Sequence, residues 1–317
     1  MNTKGTSYTI MNVEAATKTT TATNYVEYSG ACVGLSPHEL GPCLHRSKHQ
    51  VPESYILTKT HCTAYCMDCP PKMYRIPSAQ EFEKECRSGS IRNTTDHSEH
   101  MEYPRTRVKK AIHLIRDPFD NLIGRLHLSV KRKRRQGKSE DEIKDNLSDW
   151  CQYLDSKAQK EERSSGLFPP GYIDNFQHVP CHVEWFRYIQ WHNLAFQSTR
   201  MKPFEIPVHY LYYDDYANDY NATVAAVLDF LELEEYNTGK VKDFVPGKSY
   251  RQLFTVEHQI QAKAMAKVLA MPAVWDLIRH YFDGIPDLDR NDHPLALDAS
   301  GREWHEVLWG NSERKDD

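Results

Sequence analysis

The stretch from Ala111 to Arg125 constrains the fold more than any other part of the 317-residue chain. It opens with an apolar run that ends at Ile115, which is the pattern of a short buried strand. The run is broken by Arg116-Asp117-Pro118, because proline fixes φ, lacks an N–H and suits the first turn of a helix. Asp117 is therefore predicted to cap a helix over 119–128. A strand that ends in a cation and leads into a helix N-terminus is typical of anion sites in α/β proteins.

A second apolar stretch, Tyr55 to His61, predicts another short strand. It ends in Lys59-Thr60-His61. Lys59 and His61 are two residues apart, so their side chains are expected on the same face of that strand. This second strand end sharpens the expectation of an anion site.

The two strand ends resemble those of the sulfotransferase family, in which a Lys-Thr-His at one strand end accompanies an Arg-Asp-Pro strand-turn-helix. The similarity is greatest to the divergent sulfotransferase-like proteins of algae and diatoms. The resemblance implies an α/β fold of the P-loop type, a three-layer sandwich in which helices flank a short parallel sheet. It also implies that the first strand of that fold is missing, because the chain starts at the loop that this strand would precede.

The resemblance implies transfer of a sulfuryl group from the co-substrate 3′-phosphoadenosine 5′-phosphosulfate to a hydroxyl or amine acceptor, expected to be a glycan or a small hydroxylated molecule. By the family's motifs, His61 takes the acceptor proton, which suits a group that titrates near neutral pH. Lys59 polarises the leaving oxygen, and Arg116 binds the 3′-phosphate, for which its planar fork is suited. Such a transfer depends on positioning and charge stabilisation, so no metal is expected.

Three further segments resemble donor-binding parts of the family. Residues 5–8 match the last positions of the phosphosulfate loop, Lys4 lies out of register with the lysine of that loop, and a helix is predicted to follow them. The family places a serine eight residues after the phosphate-binding arginine, where this chain has a glycine; the next residue, an arginine, either compensates or leaves the donor weakly bound. A Gly-Lys segment resembles the one that closes over the nucleotide. These candidates are Lys4, Gly5, Thr6, Ser7, Tyr8, Gly124, Arg125, Gly247, Lys248 and Arg251.

The composition of the chain limits which binding partners and which cellular compartment are expected. A net charge of −4 gives no general attraction to nucleic acid, and no nucleic-acid partner is expected. No apolar run approaches membrane-spanning length and no signal peptide opens the chain, so a membrane link is expected only through a missing N-terminal anchor. Eight cysteines and three sequons, at Asn93, Asn146 and Asn221, favour a disulfide-bonded glycoprotein of the Golgi lumen or secretory pathway, with the cytoplasm as the alternative.

A cluster of cysteines follows the Lys-Thr-His strand. Three cysteines and one histidine within residues 61–69 are close enough to ligate zinc. Zinc sites usually draw ligands as two separated pairs, however, and the resemblance gives His61 another role. Disulfides from Cys62, Cys66 or Cys69 are the preferred interpretation, with the partners left open among Cys32, Cys43 and Cys86.

The chain is predicted to form a single domain over 1–317. Residues 129–165 are almost wholly charged and predict an exposed helical insertion, while 283–317 predict a polar tail along the surface. The basic run Lys131–Arg135 is most simply a solvated helix face. A landing patch for an acidic glycan and a nuclear-localisation or nucleic-acid patch are the alternatives.

Periodicity and turn residues predict the other elements, and the aromatic residues of the helix predicted over 184–196 are expected to pack in the core. Asp214 and Asp215 are expected to cap a helix and orient the site. The elements are helices over 79–86, 184–196, 220–231 and 256–269, a strand over 208–213 and a linker over 166–175.

Two other functions stay open. One is a non-catalytic sulfotransferase-like binding protein, favoured by the missing first strand and by Gly124. The other is a nucleic-acid-binding module built on Lys131–Arg135. Binding of the donor nucleotide separates the first two functions from the third, and turnover separates the enzyme from the binding protein.

Overall fold

A computed structural model describes most of the central and C-terminal parts of the chain and two shorter segments nearer its start. The protein is mixed α/β and mostly helical, which confirms the predicted fold class at that level. The described residues are 7–12, 55–62, 68–92, 98–102, 105–139, 142–200, 202, 204–232, 249–288, 297–298 and 300–310.

Six strands and eleven α-helices lie within these described residues. The strands are β1 Ser7–Asn12, β2 Tyr55–Thr60, β3 Ser88–Arg92, β4 Ser98–Glu102, β5 Val108–Ile115 and β6 Val208–Tyr212. The helices are α1 Pro71–Tyr74, α2 Ala79–Arg87, α3 Pro118–Arg135, α4 Leu147–Ser164, α5 Tyr172–Phe176, α6 His182–Arg200, α7 Asp215–Asn218, α8 Tyr220–Leu231, α9 Val256–Leu269, α10 Pro272–Ile278 and α11 Trp304–Trp309.

The main sheet has four strands in the order β2-β1-β5-β6. Only β5 and β6 pair in parallel, because β1 runs antiparallel to both of its neighbours. The sheet is therefore mixed, whereas a parallel sheet was expected. Strands β3 and β4 form a separate antiparallel hairpin that the sequence did not predict.

The N-terminal prediction is wrong where the structure describes it. The sequence predicts a helix after Tyr8, but Ser7–Asn12 form strand β1. The physical reason is pairing between distant segments, since β1 hydrogen-bonds to β2 on one side and to β5 on the other. Local helical periodicity does not reveal such partners.

The chain separates into two compact units that are interleaved along the sequence. The sheet unit contains the described residues of Met1–Tyr65, Gln80–Arg116 and Ser198–Gly247. The helical unit contains those of Cys66–Ala79, Asp117–Gln197 and Lys248–Asp317. The expected single domain over 1–317 stays a prediction.

The core of the sheet unit forms where β5 and β6 meet helix α8. Ile112 and Leu114 lie two residues apart on β5 and pack with Leu211 of β6 and Leu231 of α8. Lys110 is buried at the same end of α8, where its Nζ donates to the Phe230 carbonyl at 2.7 Å. These contacts hold β5 and β6 in parallel register.

The core of the helical unit is rich in aromatic side chains. Phe119, in the first turn of α3, lies 5.2 Å from Trp185 of α6, 5.1 Å from Phe254 and 5.7 Å from Phe282, measured between ring centroids. Helix α6 is buried on nearly all sides, and His192 lies among its aromatic neighbours there. The aromatic residues of the predicted helix 184–196 therefore serve packing, as expected.

The predicted exposed insertion over 129–165 is wrong for its second half. Helix α4 buries Trp150, Cys151, Leu154 and Ala158. These four positions recur at helical spacing and form one stripe, so a helix that is charged elsewhere still docks.

Two other segments are also buried against expectation. The predicted linker over 166–175 contains the start of α5, where Tyr172 and Ile173 are buried. The predicted surface tail contains α11, where Trp304 is buried and the Trp309 indole Nε1 donates to the Leu269 carbonyl at 3.0 Å. In both cases large apolar side chains, although few in number, dominate the burial energy over many polar neighbours.

Cysteines in both units form disulfides. Cys62 bonds to Cys86 in the sheet unit, and Cys151 bonds to Cys181 in the helical unit. Cys69 is also disulfide-bonded. The preference for disulfides in the cysteine cluster is confirmed for Cys62 and Cys86, whereas the pairing of Cys151 with Cys181 was not anticipated.

Candidate functional site

The carboxyl ends of three strands lie at one edge of the main sheet. Strand β2 runs in the same direction as β5 and β6, because β1 is antiparallel to both β2 and β5. Strand β1 begins at this edge, with Ser7 opposite Thr60 and with Tyr8 paired to Lys59 on one side and Ile112 on the other. The topology thus brings the ends of both predicted motifs to one place, which we call the site edge.

The strand register gives the approximate distance between Lys59 and Arg116 at the site edge. Lys59 and Ile112 both pair with Tyr8, so two strand spacings of about 4.8 Å separate their Cα atoms. Arg116 lies four residues beyond Ile112, at roughly 3.3 Å per residue. The Cα atoms of Lys59 and Arg116 are therefore about 16 Å apart.

Arg116 follows β5 directly and contacts the end of β6. Its guanidinium carbon lies 5.0 Å from the centroid of the Tyr213 ring. The Tyr213 N–H donates to the Ile115 carbonyl at 2.8 Å, which ties the two strand ends together. A guanidinium over an aromatic ring is attracted to the face of that ring, which favours this position of the Arg116 side chain.

Tyrosine hydroxyls on β6 add hydrogen-bond donors in the sheet unit. Burial raises the pKa of Tyr210, and burial together with the nearby Asp215 charge raises the pKa of Tyr212. Both phenols are therefore protonated at neutral pH and able to donate.

The predicted capping role of Asp214 and Asp215 is wrong in detail. Asp214 occupies the position before α7 but makes no side-chain cap bond. Asp219 instead caps α8, because its Oδ1 accepts from the Ala222 N–H at 2.9 Å. Asp214 and Asp215 directly follow Tyr213 in the chain, and Tyr213 lies at the site edge.

His61 follows β2 and is 7% exposed. The chain turns sharply after it, since Cys62 has a φ of 42°. The Cys62 N–H donates to the Thr60 Oγ1 at 3.2 Å, and the disulfide to Cys86 ties this turn to α2. The hydrogen bond and the disulfide thus restrain the backbone next to His61.

The first turn of α3 is not an open anion site, contrary to the expectation for this helix N-terminus. The Asp117 Oδ1 accepts from the Phe119 N–H at 2.7 Å and from the Asp120 N–H at 3.1 Å, which confirms the predicted cap. Pro118 has no N–H, and the Asn121 N–H donates to the Asp117 carbonyl. The first-turn donors are therefore occupied beside a negative charge.

Two other donor-binding candidates have partners within the helical unit. Both Nε and Nη2 of Arg125 donate to the buried Glu184 carboxylate. Burial alone raises the pKa of Glu184, but Arg125 and Arg187 outweigh it and lower the pKa below its usual range. Arg251 donates from Nε to the Gln259 Oε1 at 3.0 Å and from Nη2 to the Asp283 carbonyl at 3.1 Å.

The other candidates lie on α3, on β1, on β2 or outside the described residues. Gly124 lies within α3, next to Arg125. Ser7 and Tyr8 lie on β1, where they pair with Thr60 and Lys59 of β2. The remaining donor-binding candidates lie outside the described residues, namely Lys4, Gly5, Thr6, Gly247 and Lys248.

Sequence reasoning missed a buried polar network in the helical unit. His182 lies between Asp155 and Glu162, and Tyr74 donates its hydroxyl to Glu162. The network involves three helices that are distant in sequence, so no local motif signals it. His182 and Glu162 are buried, whereas the Asp155 side chain is 17% exposed.

Within the described residues, no group of three or more histidine, cysteine or acidic side chains is placed to hold a metal ion. Nor does any helix in the described part of the chain combine the length and the apolar character that crossing a bilayer requires. No family model, curated protein or solved structure matches the chain.

Proposed function

We propose that the chain is a sulfotransferase of P-loop type that transfers a sulfuryl group from 3′-phosphoadenosine 5′-phosphosulfate to a carbohydrate hydroxyl or amine. One observation carries the proposal. The sheet order β2-β1-β5-β6 brings the Lys-Thr-His end of β2, the start of β1 and Arg116 to the same edge. Those are the segments whose residues resemble the family.

The chemistry that these residues offer suits the transfer. Arg116, held on the Tyr213 ring, presents a bidentate fork for the 3′-phosphate of the donor. Lys59, whose Cα lies about 16 Å from that of Arg116, is the residue proposed to neutralise the leaving phosphate. His61, fixed by the Cys62–Cys86 disulfide, is the proposed base for the acceptor proton.

The test of the donor site is binding of adenosine 3′,5′-bisphosphate, measured as a rise in melting temperature. Adenosine 5′-monophosphate, which lacks the 3′-phosphate, should give a smaller rise. Arg116→Ala should weaken the bisphosphate selectively, because the lost contact is to that phosphate. The absence of any shift at millimolar bisphosphate would contradict the proposal.

The chain offers a matched control for Arg116. Arg105 lies before the opposite end of β5, and its guanidinium carbon is 3.5 Å from the Phe204 ring centroid. Arg105→Ala therefore removes an arginine–aromatic contact from the same unit without touching the site edge. It should leave the response to bisphosphate unchanged, and equal losses in the two variants would refute a specific role for Arg116.

A non-catalytic binding protein is the second candidate, and one contact favours it. Glycine stands at position 124 where the family has serine, and the neighbouring Arg125 is held by Glu184. An arginine committed to a buried carboxylate compensates poorly for a missing phosphate ligand. Nucleotide binding without turnover would favour this candidate.

A further inference from the structure

The first turn of α8 contains a sequon, Asn221-Ala222-Thr223, whose asparagine is exposed. At about 100° per residue, Asn221 lies roughly 160° around the helix from Thr223, which is buried on the core side. Side chains of a helix tilt toward its N-terminus, so Asn221 projects past the start of α8. A bulky group on the Asn221 Nδ2 would therefore extend into solvent and displace nothing from the core.

The amide of Asn221 is also available for modification. Its side chain makes no hydrogen bond with any residue that the structure describes. The amide of the sequon at Asn146 differs, because its Oδ1 accepts from the Asp149 N–H at 2.9 Å and its Nδ2 donates to Asp149 Oδ2 at 2.8 Å. Asn146 thus caps α4 with both ends of its amide, and the third sequon, at Asn93, lies outside the described residues.

The surface around Asn221 is uncharged and leaves space for a sugar. No charged residue occurs over 220–228, and the exposed positions there include Ala222, Ala225 and Ala226. The outer face of a surface helix normally carries charged or polar side chains. An asparagine-linked glycan is bulky and solubilising, so it would supply the hydration that this face of α8 lacks.

The cysteines give an independent indication of the compartment in which such a modification takes place. Each compact unit contains a disulfide, Cys62–Cys86 in the sheet unit and Cys151–Cys181 in the helical unit. Disulfides of this kind form in oxidising compartments such as the lumen of the endoplasmic reticulum. Sequons are read in proteins of the same secretory route.

We propose that Asn221 carries an N-linked oligosaccharide. Its Nδ2 forms a bond to the anomeric carbon of a lipid-diphosphate-linked oligosaccharide, and the bond from that carbon to the diphosphate oxygen breaks. The lipid diphosphate leaves, and Nδ2 passes one proton to a base of the transferring enzyme. This modification does not depend on the sulfuryl transfer proposed above.

The buried Thr223 determines when the oligosaccharide is attached. The sequon requires a hydroxyl at this position. In the folded helix the Thr223 Oγ1 donates to the Asp219 carbonyl at 2.6 Å, and the residue is 8% exposed. The hydroxyl is accessible only before α8 forms, so attachment precedes the folding of this helix.

The experiment uses the full chain, isolated through an affinity tag from the cells that naturally make it. Peptides are treated with a glycosidase that releases N-linked glycans and converts each modified asparagine to aspartate, in water labelled with heavy oxygen. Mass spectrometry should find the label at position 221 in most molecules.

Three variants separate a sequon-dependent glycan from any other modification. Thr223→Ser keeps both the hydroxyl and the sequon, so it should keep the glycan. Thr223→Val keeps the shape of the side chain but removes the hydroxyl, so it should lose the glycan although Asn221 is unchanged. Asn221→Gln should also lose the glycan, and its melting temperature after enzymatic deglycosylation should match that of wild type treated in the same way, since the replaced side chain is exposed.

Two results would overturn the proposal. One is an Asn221 peptide that is unmodified in the wild-type protein, whether or not a second copy covers the exposed face of α8. The other is a modification of Asn221 that Thr223→Val retains, because it would not depend on the sequon.

Discussion

The buried His182 makes a prediction about stability against pH. Its Nδ1 lies 3.1 Å from Asp155 Oδ1, and its Nε2 lies 2.9 Å from Glu162 Oε2. Burial by itself lowers the pKa of His182, but the hydrogen bonds and charges of Asp155 and Glu162 outweigh it and raise the pKa from 6.5 to about 10. The folded protein therefore holds a proton that the unfolded chain releases near neutral pH.

The sign and size of the effect follow from linkage. Because the folded pKa of His182 lies above the unfolded value, its stabilisation is fully present below pH 6.5 and is lost as pH rises through about 10. Within that window one proton contributes at most about 1.4 kcal/mol per pH unit. The free energy of unfolding should therefore fall by about 2 to 3 kcal/mol between about pH 7 and pH 9.

Urea denaturation at several pH values tests this prediction, with His182→Gln as the variant. Its stability should be lower at neutral pH, by about 3–5 kcal/mol, because two buried carboxylates lose their cation, and it should fall less steeply toward pH 9. His178→Gln is the control. Burial and the nearby His182 charge lower the pKa of His178, so it titrates below this window.

A direct measurement covers the case in which His182→Gln does not fold. An NMR titration of wild type should show the His182 ring still charged near pH 9. A ring that loses its proton near pH 6.5, or a wild-type stability that is level between pH 7 and pH 9, would refute the reasoning.

Three further predictions concern local contacts. Asp117→Ala should destabilise the protein by about 1 kcal/mol, because it removes the cap of α3, whereas Asp117→Asn should keep most of the stabilisation that the cap provides. Equal losses of unfolding free energy in the two variants, measured by urea denaturation, would contradict the cap. Replacing Cys62 and Cys86 by serine should cost about 2–4 kcal/mol, and an unchanged melting temperature would contradict a stabilising disulfide. Lys133→Gln should lower the melting temperature more than Lys131→Gln, whose effect should stay within about 0.5 kcal/mol. Lys131 is exposed, whereas the Lys133 Nζ lies 4.4 Å from the centroid of the Tyr153 ring on α4, so the solvated helix face expected for Lys131–Arg135 is wrong for Lys133; the reverse order would contradict the docking of α3.

The sequence predicts the elements whose signals are local. Helices over 220–231 and 256–269 have the predicted bounds. Each begins after a residue whose side chain accepts a first-turn N–H, Asp219 for α8 and Thr255 for α9. At these positions apolar periodicity and the capping residue predict the same helix bounds. Long-range contacts therefore do not change the locally favoured structure.

The features that the sequence does not predict depend on distant partners. The direction of β1 and the pairing of β3 with β4 depend on hydrogen bonds between separate segments. Disulfide partners likewise cannot be deduced from spacing. The burial of α4 was missed because charged residues outnumber the apolar stripe that docks this helix, and the burial of α11 was missed because its short apolar run lies in a polar segment.

For the candidate site, as for the fold, the sequence predicted the features that depend on local motifs. Lys59, His61 and Arg116 were recognised from motifs, and the strand register then brought their segments to one edge. The sequence did not show which of the predicted donor-binding arginines form ion pairs or hydrogen bonds with other residues of the chain. Arg125 is held by Glu184 and Arg251 by Gln259, and both pairings link residues that are not neighbours in any motif.

The most direct test of the central claim is sulfuryl transfer itself, measured as release of adenosine 3′,5′-bisphosphate from the donor with and without a carbohydrate acceptor. Wild type should show acceptor-dependent release. His61→Ala should reduce the rate at saturating substrate by about 10²–10⁴-fold, the usual contribution of a positioned base, while donor binding stays near wild type. If His61→Ala kept more than about a tenth of the rate, His61 would not be the base, and Asp214, Asp215 and His192 would be tested next. No acceptor-dependent release by wild type, in a protein that binds the donor, would contradict the enzymatic account.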